Sequence, residues 1–245
     1  MKTYGLIGFP LSHSFSQKYF TEKFQKEGIA DCRYETYPLG SIEEIKELIK
    51  SDRTLKGLNV TIPYKQSVLP YLDNTDGIPA GLKACNCIRI KEGKMAGYNT
   101  DVIGFERSLL PNLEAYHTDA LILGNGGAAE AIKFVLNKLK INCKLVSRKI
   151  HHDTNFVYSE LGESIIKEHK LIINATPLGA FPDINKCPDI PYHFLTPEHF
   201  LYDLVYNPEK TLFLKKGETH GATIKNGYEM LLLQAEESWR IWNED

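Results

Sequence analysis

Residues 120–132 read ALILGNGGAAEAI, and no other stretch of the chain narrows the possible folds as far. Ala120 to Leu123 form an unbroken apolar run, the pattern of a strand covered on both faces, as in a parallel sheet between helices. The run passes directly into Gly124-Asn125-Gly126-Gly127-Ala128-Ala129 and then into a segment with helical spacing. That is G-x-G-x-x-A in strand–turn–helix order. Gly124 permits the tight turn, Gly126 lets backbone approach a pyrophosphate, and the small Ala129 lets the helix sit close to the strand. Free amides around Gly127 and Ala128 at the helix start hold phosphate. Glycine turns also join strands to helices where no nucleotide binds, so the turn alone leaves both readings open.

The next strand decides which dinucleotide fits. A site for NAD places an acid about 20 residues beyond the glycine turn, on the ribose 2′-hydroxyl. Here the strand ends in Ser147, Arg148 and Lys149, and no carboxylate follows until Asp153. A 2′-phosphate wants a guanidinium and a nearby hydroxyl, and a carboxylate would repel it. The pattern points to NADP; the alternative is two surface cations after a strand.

The rest of the chain reads as two α/β units. In the first 100 residues, TYGLIGFP, CRYETYPL and GLNVTI are strands, separated by helices at SFSQKYFTEKFQKEG and SIEEIKELIK. Ser41 and Glu44 make a capping-box pattern at the start of the latter. ACNCIRI and KMAGYN form a strand pair around Glu92 and Gly93. Strand alternating with helix argues for a mostly parallel sheet. TDVIGFERSLL is a helix leading out of this unit. After the glycine turn come a strand at CKLVS, a helix at YSELGESIIKEH, and strands at KLIINAT, HFLYDLVY and GATIKNG. The last segment, GYEMLLLQAEESWRIW, is a helix too apolar to stand alone, and it is expected to pack on the first half. The expected fold class is α/β. Residues 1–100 and 226–245 form an α/β substrate domain completed by the C-terminal helix, and 101–225 a Rossmann-like NADP-binding domain with a parallel sheet.

Composition excludes several function classes. The 245 residues carry 29 basic and 31 acidic side chains, so net charge favours neither nucleic acid nor an anionic membrane. No run approaches the ~18 apolar residues of a membrane span, and YGLIGF is cut by Gly8 and Pro10, which makes it a poor signal sequence. The five cysteines have no zinc-knuckle or CxxC spacing, and no histidine sits at metal-site spacing. Reduced thiols and a cytoplasmic location are expected, with no metal.

The stretch GLNVTIPYKQ raises a different question. An extended run carrying Asn59 and Thr61 is broken by Pro63, and Lys65 follows two residues later. Lysines are mostly solvated, so the window alone is compatible with a surface charge as well as an aimed one. Asp101, ahead of VIGFERSLL, reads equally as a helix cap.

Three segments, GFPLSHSFS, NVTIPYK and GYNTDVIGF, resemble the shikimate dehydrogenase family. GNGGAAEA, NATPLG, DLVYNP and MLLLQA extend the resemblance in order over nearly the whole chain. It implies NADPH-dependent reversible reduction of 3-dehydroshikimate to shikimate, a step in aromatic amino-acid biosynthesis. It places Lys65 and Asp101 at the catalytic positions and Ser14 and Ser16 at the substrate carboxylate. It also implies that Asn59, Thr61, Asn86, Tyr206 and Gln234 bind substrate, and that Asn125, Asn174, Thr176 and Gly227 join the glycine turn and Ser147, Arg148 and Lys149 at the cofactor. The residue types suit this chemistry. A ring of hydroxyls is recognised by neutral donors and acceptors, and the alkoxide left by hydride transfer needs a positioned acid. Bland roles exist for each: Ser14 and Ser16 as helix caps, Asn86 in a turn, Tyr206 as a half-buried aromatic, Gln234 bonded to neighbouring backbone.

Departures from the family pattern are local. The usual G-A-x-N-T is KACNC here, with Lys83 and Cys87 in place of Gly and Thr. Gln17 follows Ser16 where proline is common. The family's second basic residue, three or four places beyond Arg148, is missing, with His151 and His152 nearby. The competing readings are a quinate/shikimate enzyme of relaxed specificity and a nucleotide-binding regulator without turnover. The expected partner is the small-molecule substrate, with the protein a monomer or homodimer.

Overall fold

The structure, a computed structural model, describes residues 1–11, 15–150 and 152–244. The chain divides into two compact units, 1–100 with 235–245, and 101–234.

The first unit opens with β1 (Lys2–Gly8), α1 (Phe15–Lys26) and β2 (Cys32–Pro38). Next come α2 (Ile45–Ser51), β3 (Leu55–Val60), the single-turn α3 (Tyr64–Ser67) and β4 (Asn74–Gly77). β5 (Cys87–Lys91) and β6 (Lys94–Tyr98) complete a six-stranded sheet in the order β2-β1-β3-β5-β6-β4. β1 runs parallel to β2 and β3, while β5 is antiparallel to β3 and β6. The β5–β6 hairpin turns through Glu92 and Gly93, both at positive φ, the backbone that a two-residue turn between twisted strands requires. At the entry to α2 the Ser41 amide donates to Glu44 Oε1 at 3.0 Å, closing the turn the capping pattern announces. α1 presents Phe20 and Phe24 to the core at four-residue spacing.

α4 (Thr100–Leu109) leads into the second unit, which continues through β7 (Asp119–Leu123), α5 (Gly127–Lys138), β8 (Asn142–Ser147) and β9 (Phe156–Val157). α6 (Glu163–Glu168), β10 (Leu171–Asn174), β11 (Phe200–Asp203), α7 (Leu212–Thr219), β12 (Thr223–Lys225) and α8 (Tyr228–Trp242) complete the chain. The second sheet is parallel at every pairing, in the order β12-β11-β10-β7-β8-β9. β10 and β11 are buried along their whole lengths, as is β7 after its first residue, which is why their sequences are continuous apolar runs. Counted from β7 the order is 3-2-1-4-5-6, the doubly wound arrangement with its switch point between β7 and β10.

α8 belongs to both units. Its last turns enter the aromatic core of the first: Trp242 stacks on Tyr4 at 4.9 Å and donates from Nε1 to Ile88 O at 3.0 Å. Gly57 makes room for that indole, since a Cβ there would stand 2.3 Å from the ring. Its first turns pack in the second unit, where a Cβ on Gly104 of α4 would lie 2.7 Å from Met230 O and 3.1 Å from Gln234 Cβ. The compact division therefore falls after Gln234, nine residues beyond the boundary expected from the sequence pattern.

Other elements differ from the sequence reading, which anticipated neither α3, β4 nor β9. The single helix expected from Tyr158 is split into a short 3-10 turn, Tyr158–Glu160, and α6. Leu161 drops into the core between them and Gly162 is extended. α7 was not anticipated, because its lysines and Gly217 obscure the apolar face. Gly217 is there because a Cβ would stand 2.4 Å from Leu201.

Candidate active site

In the first unit the loops after β1 and β3 are laced together. The Thr61 amide donates to Ile7 O at 2.9 Å and the Phe9 amide to Ile62 O at 3.0 Å. A Cβ on Gly8 would lie 2.4 Å from the Thr61 methyl, so glycine lets the threonine close on the end of β1. Ser14 lies outside the described residues. Ser16 stands in the first turn of α1, and its hydroxyl bonds Tyr34.

Lys65 sits half-buried on α3. Its carbonyl accepts from the Cys85 amide at 2.7 Å, which ties α3 to the segment carrying Asn86. Asn59 and Asn86 are nearly inaccessible, at 5% and 3% exposure, and both amides are engaged. Asn59 Oδ1 accepts from Tyr34 OH at 2.8 Å, while Nδ2 donates to Ser238 Oγ at 2.9 Å. Asn86 Oδ1 accepts from the Thr100 amide at 2.6 Å, and Nδ2 donates to Thr100 Oγ1 at 3.0 Å. Thr100 and Ser238 share a hydrogen at 3.3 Å. Ser16, Asn59 and Asn86 are thus joined through Tyr34, Ser238 and Thr100. Burial holds the Tyr34 hydroxyl well above the usual phenol range.

Tyr34, Thr100 and Ser238 were not singled out from the sequence. Thr100 lies inside GYNTD, and Ser238 is a polar residue on an apolar helix, the same signal that marked Gln234. Tyr34 carried no signal beyond its place on a strand.

Asp101, Tyr206 and Gln234 fall in the second unit. Asp101 is 8% exposed in the first turn of α4, where a carboxylate also complements the helix dipole. Tyr206 is partly exposed, and its phenol is pushed up by burial. Gln234 is half-buried and donates from Nε2 to Leu231 O at 2.9 Å, so part of its amide serves its own helix.

The glycine turn has the geometry its sequence asks for. Gly124 takes φ +101°, and a Cβ there would meet Thr176 Cγ2 at 2.7 Å. Gly126 is extended at the cap of α5, with open space within 4 Å of a Cβ position. Asn125 and Gly127 are exposed and Ala128 half-exposed beside it, while Ala129 is buried at 4%. This is a cradle of first-turn amides with room for a phosphate. At the end of β8, the Ser147 hydroxyl donates to Lys149 O and shares a hydrogen with Thr154 Oγ1 at 3.1 Å. It shapes the loop, leaving Arg148 and Lys149 exposed as the cations.

Across the switch point, Asn174 is fully buried and holds both neighbours. Its Oδ1 accepts from Thr176 N at 3.0 Å and Thr176 Oγ1 at 2.6 Å, and its Nδ2 donates to Asp203 Oδ1 at 2.9 Å. Asp203 also accepts from Val205 N at 3.0 Å and Thr211 Oγ1 at 2.5 Å. Burial raises its carboxyl to about 6. Gly227 is buried against the Leu204 carbonyl, 2.1 Å from where its Cβ would be, so close packing alone demands glycine there. Among the described residues no cluster of histidine, cysteine and carboxylate side chains could hold a metal ion, and no helix is long and apolar enough to cross a membrane.

Together these features define a two-unit α/β dehydrogenase with a Rossmann-like nucleotide unit. A family model described as the shikimate dehydrogenase substrate binding domain matches residues 6–88. An NADP(+) shikimate dehydrogenase of Clostridium beijerinckii is 38% identical over 100% of this chain and 93% of its own length. The shikimate dehydrogenase of Thermus thermophilus, solved with NADP(H) and shikimate, superposes with a TM-score of 0.85 at 27% identity, covering 99% of this chain and 94% of that one. A quinate dehydrogenase of Corynebacterium glutamicum, solved with NAD, superposes at 0.86 with 26% identity, over 99% of this chain and 93% of that one. The chain belongs to the shikimate dehydrogenase family.

Proposed function

We propose that this protein interconverts 3-dehydroshikimate and shikimate with NADPH and NADP, the first unit binding the ring acid and the second the cofactor. The observation that carries the reading is the pairing, in one chain, of the phosphate cradle with its Arg148-bearing strand end and a buried array of neutral amides and hydroxyls built around Asn59 and Asn86. NADP supplies the hydride acceptor and, reduced, the hydride donor. It would be held by the amides from Asn125 to Ala128, by Thr176, and by Arg148 and Lys149 at the 2′-phosphate.

The remaining chemistry is a proton and a charge. As hydride reaches the ketone carbon, negative charge collects on its oxygen. The Lys65 ammonium stabilises that charge and delivers the proton, and in oxidation it takes the proton back. Asp101 orients the reacting group. Asn59, Thr61, Asn86, Tyr206 and Gln234 address the ring hydroxyls, and Ser14 and Ser16 the carboxylate, with neutral donors that position it firmly. All five cysteines are free thiols, which suits a reducing, cytoplasmic setting for a monomer or homodimer.

The test is to follow NADPH absorbance with 3-dehydroshikimate, with 3-dehydroquinate and with neither. Oxidation of NADPH by 3-dehydroshikimate well above the other two supports the reading. Comparable turnover of 3-dehydroquinate replaces it with the relaxed quinate/shikimate enzyme, and no turnover with either leaves a nucleotide-binding protein without this reaction.

A further inference from the structure

The buried array in the first unit contains a residue that touches no solvent yet braces two of its amides. Ser238, on α8, is fully buried. It accepts from Asn59 Nδ2 at 2.9 Å, shares a hydrogen with Thr100 Oγ1 at 3.3 Å, and bonds the Cys87 thiol. An asparagine amide has two donor hydrogens and an acceptor oxygen, and turning it over exchanges them. At Asn59 the Tyr34 hydroxyl donates to Oδ1, and Ser238 accepts from Nδ2. Nδ2 also donates to the Asn86 carbonyl at 3.4 Å, a group that can only accept and so sets the sense of the amide, while Ser238 holds it in place. At Asn86 the backbone amide of Thr100 sets Oδ1, and Ser238 holds the Thr100 hydroxyl that receives Asn86 Nδ2.

We propose that Ser238 is a positioning residue for substrate specificity: through Asn59 and through Thr100–Asn86 it holds in place the donors and acceptors presented to the ring hydroxyls. The inference rests on the reading of Asn59 and Asn86 as substrate contacts. A site built to bond hydroxyls discriminates by the direction of its hydrogen bonds, because a donor facing a donor is worse than no contact. Ser238 serves this purpose from the C-terminal helix, about 180 residues from Asn59 in sequence.

Position 87 offers an independent handle. Cys87 pairs directly with Asn59 across β5 and β3, so their side chains lie side by side, and the thiol already reaches Ser238. Burial keeps that thiol neutral, far above its usual titration range, and a neutral thiol is a weak hydrogen-bonding group. A hydroxyl at 87 would stand next to the place that Ser238 Oγ occupies.

The experiment compares wild type, Ser238→Ala and the double variant Ser238→Ala/Cys87→Ser, each checked by thermal melting, in steady-state shikimate oxidation. For Ser238→Ala the KM for shikimate should rise about tenfold, the worth of one buried hydrogen bond, with the KM for NADP unchanged and discrimination between shikimate and quinate reduced. The double variant should recover most of the shikimate KM. An unchanged shikimate KM, with or without a lower melting temperature, overturns the proposal and leaves Ser238 a packing residue. Equal rises in both KM values, or no recovery in a folded double variant, overturn it as well. Failure of the functional reading looks different: wild type itself would neither oxidise shikimate nor bind it in a titration, and the proposal would fall with it.

Discussion

The candidate sites of the two units are made of different materials. In the second, the cradle is backbone: Gly124 at φ +101°, Gly126 with open space above it, and the first amides of α5. Its buried side chains, Asn174, Asp203 and Thr211, fasten the end of β10 to the end of β11 and to the start of α7. In the first unit the buried polar array is side chain throughout, drawn from α1, β2, β3, the segment before β5, the start of α4 and the end of α8. Phosphate is the same on every dinucleotide, so a fixed backbone shape suffices for it. A ring of hydroxyls has a handed pattern, and only oriented side chains can read it. The lesson is that damage should differ in kind: the second unit should be sensitive to backbone geometry, the first to the loss of single polar atoms.

The largest effect expected is at Lys65. Lys65→Ala should lower kcat by roughly 10² to 10⁴, the usual worth of a positioned general acid, while shikimate still binds in a calorimetric titration. A kcat within threefold (about 0.6 kcal/mol) would make Lys65 a surface lysine and empty the first unit of chemistry.

Next is Arg148, which with Lys149 is expected to carry the second unit's selectivity. Arg148→Ala should raise the KM for NADPH more than that for NADH by about 1.5–3 kcal/mol, as for a charge-assisted hydrogen bond. Equal losses for both cofactors would show that the arginine supports the loop and does not read the 2′-phosphate.

The glycine pair separates shape from contact. Gly124→Ala puts a side chain at positive φ and 2.7 Å from Thr176, so it should cost about 1–3 kcal/mol of stability and weaken NADP binding with it. Gly126→Ala meets nothing within 4 Å. It should melt like wild type without ligand and still bind NADP more weakly. If both variants lost stability alike, the space above Gly126 would not be a phosphate site.

The smallest effect is a pH dependence in the second unit. The Asp203 carboxyl titrates at about 6 in the fold, above the ordinary value near 3.9 for an exposed aspartate. Between those values the folded state binds the extra proton, so this group's contribution to stability falls as pH rises from about 4 to 6 and is constant above. Asp203→Asn abolishes that slope. The melting temperature of wild type minus that of Asp203→Asn should therefore be larger at pH 5 than at pH 7; a constant difference would place the carboxyl's titration elsewhere.

The readability of the two sites differs for the same reason as their sensitivity. The glycine turn is contiguous: strand, turn and helix start are neighbours in sequence, and each glycine answers a local steric demand. The β5–β6 turn at Glu92 and Gly93 and the capping pattern at Ser41 and Glu44 were legible on the same grounds. Asn59 and Asn86 could be found because each sits in a short motif. Ser238 and Tyr34 could not, because what singles them out is that both bond Asn59, across 179 and 25 residues of chain.

By itself the sequence determined the alternation of strands and helices, the parallel second sheet and the glycine turn that opens α5. All of these follow from periodicity and from backbone conformations that glycine alone adopts readily. Only the tertiary structure decided that α7 forms with Gly217 against Leu201, that the helix expected at Tyr158 breaks so that Leu161 can enter the core, and that α8 is shared between the units at Gln234. It alone decided which hydroxyl faces which amide in the first unit. A buried polar atom must find a partner, but which partner is settled by packing between segments distant in sequence.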